Sequence, residues 1–115
     1  MIMPKGMRVY EPGDIVFLLF PFADMSGAKR RPALVLLDTG DDDIIVARIT
    51  GQQLQSRFDI ILADWQEAGL LLPSVARLHK IASLEKRLVE RKLGTVTPSD
   101  WAQVRVMIKQ LWTSI

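Results

Sequence analysis

Apolar and polar positions repeat with two different periods along this chain, and the change of period divides it. Ile15 to Phe20 is a continuous apolar run stopped by Pro21, and Ala33 to Leu37 is a second run opened by Pro32. Runs this short, bounded by Pro, Gly and Asp, predict strands buried on both faces. Ile44 to Thr50 alternates instead. Ile44, Val46, Arg48 and Thr50 fall on one face of a third strand, and Ile45, Ala47 and Ile49 on the other. Phe58 to Leu62 predicts a fourth strand. Ser74 to Ile81 predicts a fifth, with Val75, Arg77, His79 and Ile81 on one side and Ala76, Leu78 and Lys80 on the other. Glu11 to Asp14 and Asp38 to Asp43 are turn chemistry. Phe22 to Lys29 and Gly51 to Arg57 read as exposed loops, and Asp64 to Gly69 as one helical turn closed by glycine. Leu84 to Lys92 fits a helix by its charges and a strand by its position.

After Thr97 the period becomes helical. Thr97 caps, Pro98 takes the first helical position and Asp100 places an acid in the first turn. Trp101, Val104, Ile108 and Leu111 then recur on one stripe, and Trp101 and Trp112 are both expected in the core. Short strands followed by one amphipathic helix predict a small, strongly curved sheet or barrel with the helix packed on it. The 115 residues suit one domain over 1–115.

Composition narrows the chemistry. There are no cysteines, which removes disulfides and thiolate metal sites and suits a reducing cytoplasm. One histidine, His79, argues against a histidine-built metal centre. No apolar run approaches the ~20 residues of a membrane span, and residues 1–10 show no secretory signal. A cytoplasmic protein with no membrane contact is therefore expected. Net charge is +2 but uneven. Residues 1–67 carry 7 cations and 10 anions, and residues 68–115 carry 8 and 3. A basic second half suits a polyanion such as RNA or DNA, and equally an acidic protein.

No phosphate-cradling glycine loop, nucleophile elbow or zinc-ligand spacing is present. The remaining candidates are Arg31 at the mouth of the second strand, Thr50 at the end of the third, and Arg77 with His79 on the fifth. Arg31 follows Lys29 and Arg30 and is pushed towards an extended backbone by Pro32. These groups suit a phosphodiester. An arginine stabilises the charge of a pentacoordinate phosphorane, a threonine hydroxyl positions a phosphate oxygen, and an imidazole carries a proton near neutral pH. RNA brings its own nucleophile, the 2′-hydroxyl, so neither metal nor cofactor is required. Plainer readings stand beside each. The cations suit a solvated loop, Thr50 a strand end bonded to backbone, and Arg77 a pair with Asp59 or Asp64. A lone strand histidine is more often structural.

Taken in order, Gly13-Asp14-Ile15-Val16, Arg30-Arg31-Pro32-Ala33-Leu34-Val35-Leu36, Ile49-Thr50-Gly51-Gln52, Ser74-Val75 into Ser83-Leu84, and Leu93-Gly94-Thr95-Val96 resemble the MazF/PemK toxins of bacterial type II toxin–antitoxin systems. The resemblance runs from about Glu11 to Leu111. It implies an SH3-like curved sheet or small β-barrel, a homodimer, and a metal-independent endoribonuclease. Such an enzyme cuts single-stranded RNA at a short sequence and leaves 2′,3′-cyclic phosphate and 5′-hydroxyl ends. It also implies an antitoxin whose acidic, disordered tail lies across the RNA site, with operator DNA reached only through the antitoxin complex. By position, Arg31 and Thr50 become the catalytic pair and Arg77 a second functional arginine. Lys29, Arg30, Arg48, Gln52 and Arg77 are the candidate substrate-binding residues.

Two positions depart from the family pattern. Gly51 replaces a usual Thr or Ser, and His79-Lys80 replaces an acid followed by glutamine. His79 is therefore the candidate general base, with activity expected to follow its basic form. The rival is that Arg31 and Thr50 act alone. Two further classes stay open: a gyrase poison resembling CcdB, suggested by the tryptophan-containing end Trp112 to Ile115, and an inactive family member that only binds.

Overall fold

The computed structural model describes residues 8–21, 26–51, 53–54 and 56–115. Six strands form one antiparallel sheet: β1 (Asp14–Pro21), β2 (Ala28–Asp38), β3 (Asp43–Thr50), β4 (Asp59–Leu62), β5 (Ser74–Glu85) and β6 (Val89–Thr95). Helix α1 (Pro98–Thr113) closes the chain. The order across the sheet is β4-β5-β3-β2-β1-β6. Of the two expected forms, the curved open sheet is the one found. β4 and β6 remain its two edges, so the barrel does not close.

Bulges supply the curvature. An extra residue in one strand bends it and increases its twist. Leu36 is extra against β3, and Glu90 and Leu93 are extra against β1. The largest break is in β5. Ala47 faces Ile81 but Arg48 faces Arg77, so Leu78, His79 and Lys80 have no partner on β3. At that break the Leu78 N–H donates to the Phe58 carbonyl, 3.1 Å away.

Alternation along the strands feeds two cores. Ile15, Leu34, Ala47, Ile49, Ala76 and Leu78 pack on one face with Val104 of α1 and the partly buried Trp101 and Ile108. Val16, Leu18, Ala33, Val35, Ile44 and Val46 pack on the other with Tyr10, Leu84 and Val89. The helix start is anchored by Asp100, buried and accepting from the backbone N–H groups of Ala63 and Asp64 at 3.2 and 2.9 Å. Thr97 accepts from the Asp100 N–H as the expected cap and donates to Asp64.

Three expectations need correction. Pro32 does not open the second strand, because β2 begins at Ala28. The stretch from Lys29 to Pro32 pairs with β1 alone, and the β3 ladder starts at Ala33. A proline has no N–H to give, and it sits where the strand has one partner. Leu84 to Lys92 is neither one helix nor one strand: β5 runs to Glu85, a 3₁₀ turn covers Lys86–Leu88, and β6 follows. Trp112 is not core. It follows Leu111 by one residue, about 100° round the helix from the apolar stripe, and is 73% exposed. The segment from Asp64 to Gly69 is a turn, closed as expected by Gly69 at φ +88°. Leu70 N–H bonds to the Trp65 carbonyl and Gly69 N–H to that of Gln66, a helix-ending pattern.

The ammonium of Lys86, a residue 2% exposed, meets the Asp38 carboxylate at 3.0 Å. Burial acts to raise the Asp38 pKa. Hydrogen bonds from the Tyr10 and Gly40 N–H groups and the Lys86 charge outweigh burial and hold it below the usual carboxylate value. Its stabilising contribution is thus complete above the unfolded carboxyl value and is lost as pH falls through the folded one. Asp38→Asn leaves a buried cation without its counter-charge. Urea unfolding near neutral pH should show a loss of roughly 3–5 kcal/mol, with the gap from wild type shrinking below about pH 4.

Candidate nucleic-acid interface

One row of side chains crosses the whole sheet. The registers align Lys92 on β6, Val16 on β1, Ala33 on β2, Arg48 on β3, Arg77 on β5 and Asp59 on β4. Directly opposed residues share a face. Arg31, two before Ala33, and Thr50, two after Arg48, therefore come onto that face where β2 and β3 part. Burial, followed by the nearby Arg31 and Arg77 charges, lowers the Arg48 pKa from its ordinary value. Three guanidinium groups are thus close enough to repel. The Arg48 Nε is buried without a hydrogen-bond partner among the described residues.

A cavity of about 600 Å³ opens at this end of the sheet. Phe17, Pro32, Ile49 and Leu70 give it an apolar floor, and Lys29, Arg30, Arg31, Arg91 and Lys92 bring five cations to its wall beside Thr50. Glu90 pairs with Arg30, and Asp14 lies 3.1 Å from the Lys92 ammonium. The Arg91 guanidinium sits over the Phe17 ring, 5.5 Å from its centre. Such a wall suits a ligand with several negative charges and flat apolar parts.

The structure lines the cavity with Lys29, Arg30, Arg31 and Thr50, whereas Arg48 and Arg77 lie outside its wall, on the row that faces away from the floor of Phe17, Pro32 and Ile49. His79 is not part of the cavity wall. It occupies the β5 break, its Nδ1 3.3 Å from Ser56 Oγ and 3.8 Å from Asp59 Oδ1. Arg77 meets Asp59 at 3.5 Å, which decides between the two carboxylates considered for it. Gln52 lies outside the described residues. Arg91 and Lys92 were not singled out by sequence. Their signal was the basic second half, but two bulges in β6 set their direction.

Gly51 also has a local reason. A Cβ there would run into Leu72 Cδ1, so the loop ahead of β5 fills the space that a side chain would take.

A curved antiparallel sheet with a cationic cleft at one end is the build of a small polyanion-handling protein. The profile of the PemK-like, MazF-like toxins of type II toxin–antitoxin systems matches residues 11–112, and the chain belongs to that family. No curated protein matches it. Among solved structures, MazF of Deinococcus radiodurans is 25% identical, with a TM-score of 0.71 over 92% of this chain and 98% of that one. An endoribonuclease of Mycobacterial species, solved with its cognate antitoxin, is 14% identical, with a TM-score of 0.75 over 91% and 96%. The Mycobacterium tuberculosis toxin MazF-mt6 is 18% identical, with a TM-score of 0.68 over 85% and 96%.

Two outcomes check this geometry. Arg48→Met removes a crowded, half-buried cation and should raise unfolding stability by about 0.5–1 kcal/mol in the absence of ligand, read by urea titration. Gly51→Ser should turn the half-exposed Leu72 outward and change stability by less than about 1 kcal/mol. A larger loss would mean that Leu72 cannot move.

Proposed function

We propose that the chain is a toxin endoribonuclease that cleaves single-stranded RNA by attack of the RNA's own 2′-hydroxyl. The supporting observation is the meeting of Arg31 and Thr50 at one cation-walled cavity. Arg31 stabilises the phosphorane, where charge grows most in the transition state. Thr50 positions a phosphate oxygen, and Lys29, Arg30, Arg48, Arg91 and Lys92 hold neighbouring phosphates. The apolar floor takes an unstacked base, which accounts for reading a short single-stranded sequence. His79 is the general base. It stands four residues along β5 from Val75, the residue that faces Thr50, so the RNA must run along the sheet to reach both.

The same cations suit the acidic segment of an antitoxin, which would block RNA by competing for them. A homodimer is the expected assembly, and operator DNA is met through the antitoxin complex. No helix among the described residues is long and apolar enough to cross a membrane. The proposed compartment is the cytoplasm, where mRNA is found. The exposed Trp112 keeps the gyrase-poison reading as the second one.

Purified protein in EDTA should cut a long single-stranded RNA into discrete fragments ending in cyclic phosphate. Arg31→Ala should slow this by about 10²–10³-fold, the usual effect of removing one transition-state donor. Intact RNA with the wild-type protein would overturn the reading, and inhibited DNA supercoiling would then favour the second.

A further inference from the structure

The contacts around His79 bear on where its proton sits. Asp59 is buried, its side chain 1% exposed, and an ionised carboxylate can only accept. It accepts from the Ser56 N–H at 3.1 Å and lies 3.4 Å from the Ser56 hydroxyl. Arg77 Nε approaches the same oxygen. The Ser56 hydroxyl also accepts from the Phe58 N–H at 3.1 Å. A serine hydroxyl has one proton and two lone pairs. Once that proton points to Asp59, the contact of 3.3 Å with His79 Nδ1 forms a hydrogen bond only if Nδ1 donates.

We infer that Ser56 and Asp59 form a positioning relay that fixes His79 with its proton on Nδ1 and leaves Nε2 as the basic nitrogen. The inference rests on the ribonuclease reading. It is not a nucleophilic serine triad, because serine and carboxylate approach the same ring nitrogen. The His79 side chain is 29% exposed, and Nε2 is the ring nitrogen that the Ser56 and Asp59 contacts leave for a ligand. In cleavage, Nε2 takes the 2′-hydroxyl proton as the O2′–P bond forms. It returns that proton to the 5′-oxygen as the P–O5′ bond breaks. The relay also ties the loop before β4 to the β5 break. Phe58, whose ring centre is 6.4 Å from that of His79, backs the imidazole, and Arg57 covers the outer side of Phe58 at 4.6 Å.

His79 is the chain's one histidine, so its ring nitrogens can be read without assignment in a long-range ¹H–¹⁵N spectrum of the ¹⁵N-labelled protein. At about pH 9, well above the reference imidazole value, the wild type should show a protonated Nδ1 and a bare Nε2. Ser56→Ala should give mixed tautomers and lower kcat on RNA about tenfold, part of the 10²–10⁴ that a general base supplies. KM should change little, and Ser56→Thr, which keeps the hydroxyl, should restore both readouts. A wild-type proton on Nε2, or wild-type kcat in Ser56→Ala, would overturn the relay. Wild-type protein that leaves RNA intact would sink the ribonuclease reading, while the spectrum would still judge the tautomer.

Discussion

Everything at the site depends on the break in β5. Arg77 and Ile81 face consecutive residues of β3, so three residues of β5 are released from that ladder. Before the break β5 pairs with β4 and the end of β3; after it, β5 pairs with the start of β3. A flat sheet would have carried its alternating pattern straight through and put His79 opposite a β3 neighbour. The break instead bends the sheet and turns its end towards the segments that bring Ser56 and Leu72. Without it, Arg48 and Arg77 would not share a row with Asp59 at its far end.

That row concentrates like charge. Arg48 and Arg77 face each other in it, Arg31 stands two residues off it on the same face of β2, and one carboxylate, Asp59, stands at the row's end beside Arg77. A stability-optimised sheet would have an apolar residue in place of Arg48. The cost is moderate because the row is only partly buried, and it is offset by two ordinary cores and by the buried Lys86–Asp38 pair. Such a local conflict is characteristic of a functional surface. On the proposed reading, a phosphate chain supplies the missing anions.

Much of this was legible in the sequence for physical reasons. Strands from Ile15, Ala33, Ile44, Phe58 and Ser74 announced themselves because each buries at least one face, which forces apolar runs or period-two alternation. The helix was legible from Thr97, Pro98 and Asp100. The resemblance placed Arg31 and Thr50 together, and they line one cavity. β6 was hidden because its bulges interrupt alternation and its outer positions are charged. Trp112 misled because it stands beside the apolar stripe, about 100° on from Leu111, and not on it. The Ser56–Asp59–His79 contacts join a loop to a strand break, and neither leaves a periodic trace.

The central claim is that this cationic row is completed by RNA phosphates. The most direct measurement is the affinity of wild-type protein and Arg48→Met for a 2′-O-methyl single-stranded RNA, which lacks the attacking hydroxyl, across a range of salt concentrations. The account predicts a steep fall of log affinity with log salt, by about 0.7 per phosphate contacted, and a slope shallower by about one such contact in Arg48→Met. A wild-type affinity indifferent to salt, or an unchanged slope in a folded Arg48→Met, would contradict it.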